Sequence, residues 1–238
     1  MSAGWTAKRF WTDVSISETE GGFAVHLDAR RVMTPGKLPL TLPTRPMAEA
    51  VAAEWAAQEG EIKPLTMSVT RAANSAIERV TPQHAQVAAM LAAYAETDLI
   101  CHRADAPQAL ADRQGAAWDP LLAWVADTHG ARLVPTVGIL PADQPRQSLE
   151  RLAAHVAALD AFRLTALHDL VALSGSLVIG LAVAQDHLDP ETGWALSRID
   201  EEWQIEQWGR DDEAEATAAL KRQDFLRAKI FWRLSTSA

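Results

Sequence analysis

The spacing of apolar residues in this chain changes period near Thr44, and that change constrains the fold more than any other feature. Before it, Val14 and Ile16, then Phe23, Val25 and Leu27, alternate with polar neighbours. An interval of two is that of a half-buried strand. Glu20-Gly21-Gly22, Asp28-Ala29-Arg30-Arg31 and Pro35-Gly36-Lys37 supply turns, the second leading into Val32-Met33-Thr34. These spacings predict a small antiparallel meander. After Thr44, Met47, Val51 and Trp55 recur at helical spacing. Thr44 is a fair N-cap and Pro46 sits in the first turn, so a helix is expected to about Gln58.

Helical patterns continue to the end of the chain. Glu59-Gly60-Glu61 ends the first helix, and Ile62-Lys63-Pro64 is an extended connector. Further helices are expected near Ser68–Val80 and Pro82–Thr97, then from Pro107 to about His129. A break is expected in the last at Asp119-Pro120, because proline removes an amide donor. Asp98 to Ala104 matches neither period, and Arg132-Leu133-Val134 reads as a short strand. From Gln147 to Trp232 the pattern is helical, with breaks near Leu159-Asp160, Ser174-Gly175, Asp189-Pro190 and Gly209. Strands first and helices after argue for an α+β protein with segregated parts. The expected organisation is a small N-terminal antiparallel β-sheet domain with one helix over residues 1–70, followed by a larger all-helical domain over 71–238.

Composition excludes several classes. The chain has 238 residues, 48% of them apolar, so a real core is affordable and disorder is not expected. Its net charge of −9 repels phosphate backbones, which argues against nucleic acid as a partner. Cys101 is the one cysteine, so no intrachain disulfide can form and a reducing compartment is expected. The longest apolar stretch, Leu170 to Ala184, is interrupted by Ser174, Gly175 and Ser176. It falls short of the roughly 20 residues that span a bilayer, so a buried helix pair and no membrane insertion are expected. The N-terminal residues contain neither an apolar signal core nor an Arg/Ser-rich presequence, which suggests a soluble, cytoplasmic protein.

Catalytic signals are sparse. The chain has no P-loop, no G-x-G-x-x-G, no His-Glu-x-x-His and no Cys-x-x-Cys. Cys101 and His102 are sequence neighbours whose side chains point apart, so they read as a buried thiol beside a surface imidazole. His168-Asp169 is the strongest enzyme-like signal. With His155 or His129 upstream and Asp186 or Asp200 downstream, it would suit a metal-dependent phosphohydrolase, but the ligand spacing is generic, and the favoured reading puts His168 and Asp169 on the polar face of an amphipathic helix whose apolar face carries Leu164, Leu167, Leu170 and Val171. No metal or cofactor is expected on balance. Trp55, Trp118 and Trp124 lie in apolar helical patterns and are expected to anchor the core. Asp119 is expected to cap a helix opened by Pro120.

The segment Ile199 to Gly209 places two tryptophans and four carboxylates in eleven residues. On a helix, Asp200, Gln204 and Trp208 share one strip, and Leu196, Ile199 and Trp203 another. Arg198, Glu202, Glu206 and Arg210 fall at successive four-residue intervals and predict an ion-pair ladder on a solvated face. An indole among carboxylates beside an apolar stripe can grip another protein. Asp200, Glu201, Trp203, Gln204, Gln207 and Trp208 are therefore the candidate partner-binding residues. A helical scaffold for some other partner is the remaining alternative.

A set of short segments resembles the F1-ATPase α-subunit assembly chaperone family, found in mitochondria and α-proteobacteria. The segments are Lys8-Arg9-Phe10-Trp11, Gly22-Phe23-Ala24-Val25-His26-Leu27-Asp28 with Thr34-Pro35, Leu42-Pro43-Thr44, Glu54-Trp55-Ala56-Ala57-Gln58, Thr97-Asp98-Leu99-Ile100-Cys101-His102-Arg103-Ala104, Arg113-Gln114, Trp118-Asp119-Pro120 and Glu202-Trp203-Gln204-Ile205-Glu206-Gln207-Trp208-Gly209. The likeness runs from about Lys8 to Gly209, most of the chain. Ala29 stands where the family usually has glycine, Asp200 where glutamate is common, and His102 where tyrosine is usual. The resemblance implies a chaperone without enzymatic activity that binds free α subunits before they pair with β. It implies a β domain and a helical domain, and a functional role for Asp200. It places eukaryotic members in the mitochondrial matrix; with no presequence pattern among the N-terminal residues, a bacterial cytoplasm is expected here, and the free chain is taken to be a monomer.

Overall fold

The computed structural model describes residues 8–138 and 140–236, and the chain divides into two compact units. The first comprises residues 8–83 together with Ala161–Thr165 and 230–236; the second comprises His84–Asp160 and Ala166–Lys229. The N-terminal unit thus ends at Gln83 rather than near residue 70, and it takes in helical chain from far along the sequence. Helical periodicity shows that a segment has an apolar face but not which core buries it.

In the first unit, β1 (Val14–Thr19) and β2 (Gly22–Leu27) form a hairpin in which Val14 faces Leu27 and Thr19 faces Gly22. The other edge of β2 pairs with β3 (Arg30–Arg31) and β4 (Thr41–Leu42). Gly22 sits at φ +148 with Leu42's carbonyl where a Cβ would be, so only glycine fits there. Asp28 takes a left-handed turn at φ 51 and accepts the amides of Thr12 and Asp13, which hold its carboxyl below the usual range. Regular pairing in the third strand stops at Arg31, earlier than the expected Val32-Met33-Thr34. Val32 still donates its amide to the Val25 carbonyl at 2.9 Å, and beyond it the chain folds back on itself, with an isolated bridge joining Met33 to Pro39 and Thr34 N donating to the Leu38 carbonyl at 2.9 Å.

Helix α1 (Arg45–Ala56) begins as expected, with Thr44 Oγ1 accepting from Met47 N at 3.2 Å. Its buried Met47, Ala48 and Val51 pack toward β1 and β2. The Glu54 carboxylate of α1 accepts the amides of Val69 and Thr70, capping α2 (Ser68–Ser75). This capping and the packing of α2 on α1 keep the second helix in the N-terminal unit.

The second unit holds α3 (His84–Ala92), α4 (Gln108–His129), α5 (Arg146–Ala157), α7 (Leu177–Ala184), α8 (Pro190–Ser197) and α9 (Ile199–Trp208). Most of α6 (Ala161–Ser174) and of α10 (Asp212–Thr236) belongs to it as well. It is not wholly helical, because β5 (His102–Arg103) and β6 (Thr136–Val137) form a short parallel pair. The strand expected at Arg132-Leu133-Val134 is absent. The Gln144 side chain takes both the amide and the carbonyl of Val134, leaving neither for a ladder.

Every residue of α7 is buried, and the apolar run Leu170–Ala184 is the end of α6, a turn at Gly175 (φ +72) and α7. Asp98 lies beneath the start of α7, wholly buried, with Oδ2 accepting from Val178 N at 3.1 Å and Oδ1 from Ile100 N at 3.2 Å. Burial pushes its carboxyl up to about 6 against those hydrogen bonds. Among the described residues, no helix is long and apolar enough to cross a membrane.

The break expected at Asp119-Pro120 does not occur: Pro120 lies inside α4. An interior proline costs on the order of 3 kcal/mol. Buried Gln114, Trp118, Leu121 and Val125 hold the helix on both sides of it. Trp118, fully buried, also donates Nε1–H to the Leu196 carbonyl at 2.9 Å. Asp119 is therefore not a cap. It sits mid-helix and accepts from Arg103 at 2.7 Å.

Candidate functional site

The acidic-aromatic segment forms α9, and its neighbours are positioned by local chemistry. Asp189 caps α8 by accepting from Thr192 N at 3.0 Å, and the Thr192 hydroxyl together with this bond lowers its carboxyl's pKa. At Arg198 the backbone leaves the helical region (φ −111, ψ 11), separating α8 from α9 where the sequence pattern alone predicts continuous helix. Gly209 ends α9 at φ 90, a conformation that favours glycine. Asp211 then accepts the amides of Glu213 and Ala214 at the start of α10.

The six candidate residues do not share one environment. Asp200 is half-buried and turned toward α4, where its Oδ1 accepts from Gln114 Nε2 at 2.6 Å. Gln114 is itself buried, and its Oε1 accepts from Ala104 N at 2.8 Å. Trp203 is half-buried, while Gln204 and Gln207 are exposed. Trp208 is 79% exposed, the most open of the described tryptophans. Glu201, Gln204 and Trp208 face an open cavity of about 560 Å³ between α9 and the first turns of α10, with Trp194 and Ile205 also in its lining.

The expected ladder through Arg198, Glu202, Glu206 and Arg210 is not formed. Arg198 pairs with Glu201 at 2.6 Å, Glu206 with Arg113 at 2.8 Å, and Arg210 with Glu215 at 3.0 Å. Arg198 and Arg210 lie outside α9, so the four-residue interval no longer places them on its face. Glu202 has no side-chain partner among the described residues. Exposed pairs of this kind contribute about 0–1 kcal/mol each, so they orient the surface more than they stabilise it.

The other tryptophans and the enzyme-like residues fall elsewhere. Trp55 is half-buried and meets Trp11 edge-on at 5.4 Å. Trp124 stacks on His187 at 4.8 Å. His168 Nδ1 and Asp169 Oδ1 lie 2.9 Å apart, and that contact raises the imidazole pKa. His129 and His155 meet each other at 4.5 Å, and burial lowers both. Asp186 pairs with Lys229 at 2.8 Å. Among the described residues, no group of three or more His, Cys, Asp or Glu could hold a metal ion, so the ligands imagined around His168-Asp169 are not gathered. Cys101 is buried, and burial together with Asp98 pushes its thiol up to about 12, far from a nucleophile at neutral pH.

The hydrogen bond from Gln114, the pairing by Arg113 and the groove wall on α10 were not predicted from residue spacing. Gln114 and Asp200 are separated by 86 positions, so no local period links them. One usable signal was present: Ala214, Ala218 and Ala219 put small residues on the first turns of α10, where a packed helix would carry large ones.

The fold thus joins an N-terminal antiparallel sheet to a mostly helical region that presents an open aromatic-acidic surface on α9. Residues 8–126, half of the chain, match the ATP12 chaperone protein family. The chain is 53% identical to Atp12 from Paracoccus denitrificans, covering 96% of this chain and 98% of that one with a TM-score of 0.95. An aspartate-to-lysine mutant of P. denitrificans Atp12p matches with 52% identity, the same coverage and a TM-score of 0.95. Protein atp12, mitochondrial, from Schizosaccharomyces pombe is 22% identical over 221 residues, 87% of this chain and 75% of its own length. The chain belongs to the ATP12 chaperone family. Membership supports a role in F1-ATPase assembly.

Proposed function

We propose that this protein binds the unassembled α subunit of F1-ATPase, covers the surface that β will later occupy, and passes α to β without hydrolysing nucleotide. The observation that carries the reading is Trp208, 79% exposed at the end of the acidic helix α9 in a chain of the ATP12 chaperone family. An orphan subunit exposes apolar and charged surface that associates with wrong partners. Glu201, Trp203, Gln204, Gln207 and Trp208 offer an aromatic anchor with polar and acidic surroundings. Asp200 fixes α9 through Gln114 and keeps its second carboxylate oxygen for the partner. Release follows from competition: β must bind the same surface more favourably, by about 1.4 kcal/mol for each tenfold preference. On this reading the protein is a monomer when free and needs no cofactor. Its place is the bacterial cytoplasm, as for a relative of the P. denitrificans protein, and nucleic acid has no part.

The test is light scattering of isolated F1 α subunit. Equimolar wild-type chain should suppress its aggregation, and added β should release the chaperone. If the wild-type chain leaves the aggregation of α unchanged, the proposal fails.

A further inference from the structure

The groove between α9 and α10 has a shape and charge that specify what fills it. Its apolar surface comes from Trp194, Ile205 and Trp208 on one side and from Ala214, Ala218 and Ala219 on the other. The alanines leave room for large incoming side chains, while Trp194 is buried beneath and Trp208 stands open at the edge. Both walls are helices, whose backbone amides are already used, so no sheet edge is available for strand addition. Recognition must proceed through side chains packing between side chains.

Charge adds a second constraint. The lining carries two arginines and four carboxylates. Both arginines are already neutralised, Arg198 by Glu201 at 2.6 Å and Arg222 by a two-pronged contact with Glu191. Glu215 is paired with Arg210. Glu202 and Asp211 have no cationic partner among the described residues, although Asp211 accepts two backbone amides. The groove therefore presents uncompensated negative charge beside its apolar surface, and an incoming cation would find a carboxylate at the rim.

From this complementarity we infer that the α9–α10 groove receives an amphipathic helix of the partner polypeptide, its apolar face inserted against Trp208 and the alanines and its Lys or Arg flank set against Glu202 and Asp211. The inference deepens the proposed function and rests on it for the identity of the partner. Apolar anchors at i, i+3, i+4 and i+7 would enter the groove, as in other helix-in-groove recognition. Trp208 is the anchor on the chaperone side, in keeping with the weight that tryptophan carries at interfaces.

The experiment uses the full chain and two ligands measured separately. One is a fluorescein-labelled helical peptide of about 14 Leu and Lys residues, roughly four turns, with a control peptide carrying Glu in place of Lys. The other is isolated F1 α subunit. The variants are Trp208→Ala, Ala218→Trp, which fills the groove from a half-buried position, and Glu202→Lys, each checked for native circular dichroism. Wild-type chain should bind the Lys peptide and not the Glu peptide. Trp208→Ala and Ala218→Trp should each weaken the Lys peptide and α by about tenfold or more. Glu202→Lys should weaken both and reduce their salt dependence. If folded Ala218→Trp and Trp208→Ala capture α as well as wild type does, the groove is not the docking site and Trp208 no longer supports the chaperone reading, which then rests on suppression of α aggregation by the wild-type chain. If wild-type chain binds the Lys peptide in the groove but does not capture α, the groove assignment stands and the chaperone reading fails. Equal binding of both peptides, or none of either, overturns the inference. So does an effect of the groove variants confined to self-association of the chain.

Discussion

Replacing Gln114 with leucine isolates the contact that holds α9 in place. Leucine approximates the volume of the buried glutamine but can neither accept from Ala104 N nor donate to Asp200 Oδ1. A hydrogen bond to a charged group contributes about 1.5–3 kcal/mol, and an abandoned amide costs about 1–3 kcal/mol. Ala104 is half-buried, so water recovers part of its loss, and the lower end applies. Apolar burial of the leucine returns part of the remainder. The expected destabilisation is about 3 kcal/mol, which corresponds to a fall of about 6–12 °C in Tm for a chain of this size. Urea unfolding followed by circular dichroism measures it. A double-mutant cycle with Asp200→Ala should show coupling of about 1–3 kcal/mol, because the two side chains share one bond. If Gln114→Leu unfolds within about 0.5 kcal/mol of wild type, or if the two mutations add without coupling, the assignment of Asp200 to a structural bond is wrong.

Three further outcomes follow from the same structure. Asp200→Asn keeps an oxygen for Gln114, so stability should fall by less than about 1.5 kcal/mol while capture of F1 α weakens; unchanged capture would show that the carboxylate charge is not used. Gly180→Ala would set a Cβ 2.7 Å from Val171 Cγ2 and 3.3 Å from Val171 N inside a wholly buried helix. It should cost about 1–3 kcal/mol in urea unfolding, and a neutral result would mean that α6 and α7 can separate freely. Asp98 has a folded pKa raised to about 6, so the native state holds this proton more tightly than the unfolded chain. Its contribution is therefore present at low pH and lost as pH rises from about 4 to 6, by up to about 3 kcal/mol at 1.36 kcal/mol per pH unit. Urea midpoints across that window should show less of this fall in Asp98→Asn, and an equal fall in both proteins would refute the assignment.

Much of the architecture was readable because its signals are local. The hairpin around Gly21-Gly22, the Thr44 cap, the turn at Gly175 and the end of α9 at Gly209 each depend on a few adjacent residues. Local preference is overridden where packing or a side-chain partner outside the local pattern outweighs it. Pro120 stays within a helix because buried side chains on both sides hold it, and Val134 forms no strand because Gln144 takes its backbone groups. The candidate site divided the same way. Spacing identified an acidic helix carrying tryptophans, but the expected ladder through Glu202 was replaced by Arg113–Glu206, a bond between residues 93 positions apart.

The sequence by itself determined the order of strands and helices, most of their ends, and the presence of an aromatic-acidic helix, because periodicity and capping act within one or two turns. Only the tertiary structure decided that Asp200 turns toward Gln114, that Trp208 remains open, and that the alanines of α10 form the far wall of a groove. Direction and exposure depend on which other surfaces arrive beside a helix, and no local spacing carries that information.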